Sequence, residues 1–148
     1  MSKKLFFLPA FLMIAAALFI FSCGDDEDTC DILQSDFVGQ YSVDEDCSTS
    51  APAAYNVTIT AGTSTSEVRL ANVWDSFGAA VVATIDCESI TIARQEPDGD
   101  DYFIEGNGTL EKRDNDVIVI TISYSVTDET DPANILTDVC TQTIYTKL

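Results

Sequence analysis

From Phe37 to the end of the chain, apolar side chains return at every second position in short runs, and no window of useful length repeats at helical spacing. Phe37, Gly39, Tyr41 and Val43 share one parity, with Gln40, Ser42 and Asp44 between them. Tyr55, Val57 and Ile59 alternate with Asn56, Thr58 and Thr60, and Val68 and Leu70 flank Arg69. Val81, Ala83 and Ile85 lead to Cys87, and Ile90 and Ile92 follow with Ser89 and Thr91 opposite. Ile118, Ile120, Ile122, Tyr124 and Val126 form the clearest run, and Val139 to Tyr145 closes the series. A period of two sends successive side chains to opposite faces, which is the mark of a strand buried on one side only.

Tyr102, Ile104 and Leu110 keep a single parity through Gly106 and Gly108, which reads as one long strand bent at its glycines. The alternative is a hairpin turning at Asn107-Gly108. Turn-rich pieces at 47–52, 62–66, 96–101, 112–116 and 128–134 separate the runs. About eight short strands at regular spacing predict an all-β domain over 37–148, an up-and-down antiparallel barrel or, alternatively, a β-sandwich. Closure is preferred because it removes the exposed edges that would pair with other chains. Residues 23–36 are rich in Asp and Glu and read as a tether, with a short helical turn at Asp31 to Gln34.

The N-terminus carries an address. Lys3 and Lys4 precede an uncharged run from Leu5 to Phe21, and Ser22 stands before Cys23. A basic start, an apolar core and a small residue at the junction predict a signal peptide over 1–22. Ile20 and Ser22, at minus three and minus one from Cys23, resemble the bacterial lipobox, which implies cleavage before Cys23 and acylation of its thiol and new amino group. Several acyl chains hold a protein stably, since each buried CH₂ contributes about 0.8 kcal/mol. A signal anchor that stays uncleaved is the competing expectation, because the run approaches the roughly 20 residues of a spanning helix.

Once Cys23 is acylated, Cys30, Cys47, Cys87 and Cys140 remain, an even set in a chain routed to an oxidising compartment. Their spacing contains no CxxC pair and the chain has no histidine, so zinc is a poor fit. Four cysteines allow three pairings. Cys47 with Cys140 is expected, because Cys47 follows the first strand and Cys140 opens the last, and pairing those strands brings the two together. Cys30 with Cys87 would then pin the tether.

Twenty-five acidic residues face seven basic ones, for a net charge of −18, and loss of residues 1–22 would remove two lysines and no acid. Such a surface repels phosphate backbones, so nucleic acid is excluded as a partner. Cations, basic proteins or neutral ligands such as glycans match it better. With no histidine the commonest general base and nucleophile activator are missing, no cofactor is implied, and the domain is expected to be non-catalytic.

The Phe-Val-Gly-Gln-Tyr opening at Phe37 to Tyr41, the Gly-Asn-Gly-Thr-Leu stretch at Gly106 to Leu110 and the terminal Cys-Thr-Gln-Thr-Ile-Tyr-Thr-Lys from Cys140 resemble small lipocalin-like lipoproteins of the Bacteroidota type. The acidic run Asp25, Asp26, Glu27 and Asp28 is similar to the surface-export signal of that group. The resemblance implies a calycin-like barrel anchored by lipid in the outer membrane at the cell surface, serving as a binding or adaptor module. Its counterparts would be an apolar ligand, a glycan or an envelope protein; a structural part in an envelope complex is the alternative.

Two local sites are worth locating. Trp74 and Phe77 form either an aromatic lid for a ligand at the barrel mouth or a plug of core side chains. Asp98, Asp100 and Asp101, with Asp114 and Asp116 in what would be a neighbouring turn, offer the hard oxygen ligands of a calcium site or form ordinary charged turns.

Overall fold

The computed structural model describes residues 30–51 and 53–148. The signal segment 1–22, Cys23 and the acidic run after it lie outside the described residues. The rest is all-β: eight antiparallel strands in a meander that closes into a barrel, with very little helix. The strands are β1 (Gly39–Glu45), β2 (Ala53–Ala61), β3 (Glu67–Ala71), β4 (Val81–Asp86), β5 (Ser89–Gln95), β6 (Tyr102–Lys112), β7 (Ile118–Asp128) and β8 (Leu136–Lys147). Each pairs with its sequence neighbours, and β1 closes the ring on β8 through registers such as Tyr41 with Lys147 and Asp44 with Ile144. The alternating pattern is realised as read: Tyr41, Val43, Val57, Ile59, Val68, Leu70 and their counterparts around the ring point inward. The barrel is therefore filled by its own side chains, not hollow, with Tyr41, Tyr145, Ile104 and Ile120 all fully buried.

Strand β6 is continuous across Asn107-Gly108, so the hairpin alternative is not formed. The glycines are there for closeness. A Cβ on Gly106 would lie 2.5 Å from Ser123 O, and one on Gly108 would lie 2.9 Å from Ile122 Cα, both in the backbone of β7. The register also slips beside this stretch, between Ile92 and Gln95 and between Ile122 and Tyr124, as expected where a barrel turns a corner.

The two ends of the barrel differ. At one end lie the connections β2–β3, β4–β5 and β6–β7, the approach to β1 and the end of β8. The short helix α1 (Gln34–Phe37) covers this closed end and buries Phe37 completely. It begins three residues later than the helical turn read from the sequence, because Asp36 accepts the Leu33 N–H at 2.7 Å and Phe37 has a core to enter. Phe37 is thus the end plug, and β1 starts only at Gly39. From Cys30 onward the expected tether is tied down. Cys30 is disulfide-bonded to Cys87 in the β4–β5 turn, Gln34 donates to Ser64 O and Glu67 O, and Asp36 pairs with Lys112 at 2.9 Å.

At the other end, the mouth, lie the connections β1–β2, β3–β4, β5–β6 and β7–β8. Cys47 and Cys140 form the second disulfide beside it, the pairing expected from the meeting of the first and last strands.

Candidate functional site

The mouth is built around an acid that faces inward. Glu45 continues the parity of Tyr41 and Val43, so its carboxylate enters the barrel, where it is 5% exposed. A buried carboxylate is costly unless it is hydrogen-bonded. Here Tyr55 donates to Glu45 Oε2 at 2.6 Å and Tyr124 donates to the same oxygen. Burial foremost, then the neighbouring Tyr145, Tyr55 and Glu45, pushes the Tyr124 phenol far above its ordinary range. Tyr55 is raised by burial and by Glu45. The Tyr145 hydroxyl, fully buried, faces Tyr55 in the same cluster but is not aligned for a hydrogen bond of good geometry.

Tyr55 also carries this cluster outward. Its oxygen accepts the Trp74 backbone N–H at 3.0 Å. Trp74 sits in the β3–β4 connection with φ 58° and ψ 20°, between Asn72 at φ 69° and Asp75 at φ 47°. Left-handed backbone is unfavourable for a bulky side chain and persists only where surrounding contacts impose it. Those contacts are the Tyr55 bond and the Asn72 side chain, which donates to Asn56 O and to Asp75.

Trp74 and Phe77 differ in burial, though both pack on the core. Phe77 is buried in the core. Trp74 stays half-buried, with its ring 5.9 Å from Phe77 and 6.1 Å from Tyr102, tilted about 40° to the first and 39° to the second. With Ser76, Asp98 and Asp100 these three rings line a cleft of about 280 Å³ that opens to solvent. A second cleft of about 180 Å³ is also lined by Trp74 and Tyr102 and extends to Asp128 and Asp138.

The cleft walls are fastened by carboxylates. Asp98 accepts the N–H groups of Gly78 and Ala79 at 2.9 and 2.6 Å, tying the β3–β4 loop to the β5–β6 loop. Tyr102 donates to Asp128 at 3.1 Å. Burial pushes Asp138 upward, but hydrogen bonds from Ser50, the Thr49 N–H and Ser48 outweigh it and hold the acid down at about 2. None of the four ion pairs among the described residues involves Asp98, Asp100, Asp128 or Asp138.

The acids read as a calcium site are not gathered. Asp114 and Asp116 lie in the β6–β7 turn at the closed end, separated from Asp98, Asp100 and Asp101 by the whole of β6, some 35 Å of strand. Among the described residues, the one group of three with ligand atoms within 4.8 Å of each other is Glu45, Cys47 and Cys140, and both its cysteines are spent in the disulfide.

Glu45, Tyr55, Tyr102, Tyr124 and Asp138 were not singled out from the sequence. A signal existed for the first: Glu45 falls on the inward parity of its strand, as do Tyr55 and Tyr124 on theirs. Compared with known proteins, the chain matches no family model, no curated protein and no solved structure.

Proposed function

We propose that this chain is a lipid-anchored lipoprotein of the outer membrane, facing outward, whose calycin-like barrel is a non-catalytic binding or adaptor domain with its site at the mouth. The observation that carries the reading is polarity along the barrel axis. The N-terminal segment joins at the closed end and is stapled there through Cys30 and Cys87, while the Trp74 cleft lies at the opposite end. An anchor at Cys23, seven residues before Cys30, would hold the closed end toward the lipid and turn the cleft away from it. Because Tyr41, Tyr145 and the aliphatic layers fill the interior, recognition belongs to the mouth and not to a calyx inside it. Ile135, Leu136 and Val139, 55%, 58% and 44% exposed beside the mouth, favour a second reading as a component of an envelope complex that meets a protein partner.

The test is the intact mass of the full chain extracted from bacterial membranes, with protease shaving of whole cells before extraction. The expected product starts at acylated Cys23 and is lost on shaving. A product that retains residues 1–22, or one protected from protease, overturns the anchor or its outward orientation.

A further inference from the structure

We infer that the Trp74 cleft recognises an alkylammonium group, a proposal that rests on the binding-domain reading and gives it a ligand class. Carboxylates alone would make only a charged rim, and three rings alone would make only an apolar groove. Their combination is selective. The ring faces of Trp, Tyr and Phe attract a cation within about 6 Å of their centroids, and Trp is the best of the three. Trp74 stands 5.9 Å from Phe77 and 6.1 Å from Tyr102 at tilts of 40° and 39°, so the partly exposed Trp74 and Tyr102 rings form a wedge, with the buried Phe77 ring behind Trp74. Asp98 and Asp100 lie on its edge, exposed, and no basic side chain of the described residues pairs with either.

The basic side chains among the described residues are elsewhere. Lys112, Arg113, Lys147 and Arg69 belong to strand ends and turns at the closed end or to the strand flank, each with a partner of its own. Arg94 is the cation nearest the mouth in sequence position, and it is committed to Glu129 and to the Phe103 ring, 3.9 Å from its centroid. Charge complementarity therefore asks for a cation that the described residues do not supply. An alkylammonium headgroup satisfies both parts of the cleft, its methyl or methylene groups against the rings and its charge toward the two carboxylates. At about 280 Å³ the cleft admits one such headgroup and not a folded surface. The ring is also prepared in advance. Trp74 is partly exposed on a left-handed backbone held by Tyr55 and Asn72, so little backbone freedom of this loop remains to be lost on binding.

Trp74 is the only tryptophan, so its fluorescence reports on this cleft directly. The full chain in an uncharged maltoside detergent is titrated at constant ionic strength with choline, with N-acetyl-lysinamide, and with 3,3-dimethylbutanol, the neutral carbon isostere of choline. A saturable change with at least one of the two ammonium probes, at least 10-fold tighter than with the isostere, is the expected result. Which ammonium probe binds tells a quaternary headgroup from a primary ammonium, such as a lysine side chain, as the source. Asp100→Asn should weaken the ammonium probe about 3- to 10-fold and leave the isostere unmoved. Equal binding of choline and isostere overturns the cation while retaining a binding cleft. No response to any probe, with acrylamide still quenching Trp74, overturns the site itself, and the anchor is tested separately by mass.

Discussion

Removing single hydroxyls from the buried cluster at Glu45 should separate a bond that stabilises the barrel from one that is missing. Tyr124→Phe deletes a donor to a carboxylate that is 5% exposed. Hydrogen bonds to such groups contribute about 1.5–3 kcal/mol, and the ring itself remains packed, so the expected loss is about 2 kcal/mol. Tyr55→Phe deletes a donor to the same oxygen and also strands the Trp74 N–H, so it should cost about 1 kcal/mol more. Tyr145→Phe runs the other way, because its hydroxyl is fully buried without a hydrogen bond, and removing an unsatisfied group should be neutral or stabilising by up to about 1 kcal/mol. Glu45→Met in the wild-type background leaves both phenols unsatisfied, whereas the same change combined with Tyr55→Phe and Tyr124→Phe should recover most of that loss. The assay is urea unfolding under non-reducing conditions, followed by circular dichroism and Trp74 emission together, with unchanged slopes as the check on two-state behaviour. A Tyr145→Phe loss as large as that of Tyr124→Phe would refute the reasoning. So would additivity of the Glu45 and tyrosine substitutions, since the cluster would then not act as a unit.

Two further outcomes follow from the packing of the barrel wall and the mouth. Gly108→Ala should destabilise by about 1–3 kcal/mol, because its Cβ meets β7 backbone that has no side chain to move aside, while Gly78→Ala, whose Cβ meets only Asp98 Oδ1 at 3.6 Å, should be near neutral; equal unfolding midpoints for the two would refute the close approach of β6 to β7. Asp138, held at about 2 in the fold against an ordinary value near 3.8, contributes stability that is fully present above about pH 4 and is lost as pH falls from there toward 2, on the order of 1–2 kcal/mol. Asp138→Asn should flatten the acid limb of the stability profile in that window, and an unchanged limb would mean the Ser48–Ser50 contacts do not favour the charged form.

The strands were legible because a barrel wall is half-buried throughout, which leaves a period of two on every strand. Closure was legible for the same reason that Cys47 and Cys140 meet: a meander of short turns has no other way to cover its first and last edges. What the pattern hid was polar chemistry on the inward parity. Glu45 and Asp138 break the apolar rhythm only once each, and an acid in a strand reads as outward unless its phase is followed through Tyr41 and Val43 or into Cys140. Tyr102 shares the parity of Ile104 and Leu110, but its meeting with Trp74 depends on how two mouth loops are tied by Asp98, a long-range contact without a local signature. Phe37 shares the parity of the first strand, but it ends helix α1, which lays it across the closed end before the chain becomes extended at Val38.

The bond between Cys30 and Cys87 also decides where mechanical load enters. A pull on the chain upstream of Cys30 would otherwise reach Gly39 and peel β1 away from β2 and β8 one hydrogen bond at a time, the direction in which a sheet resists least. With the staple in place, the shorter covalent route runs through Cys87 into the β4–β5 hairpin on the far side of the ring from β1, and the seam between the first and last strands carries no tension until a sulfur bond breaks. Flow, or a ligand dragging on the mouth, would then strain the barrel where it is continuous in sequence and spare the β1–β8 seam, which below the Cys47–Cys140 bond is held by strand pairing.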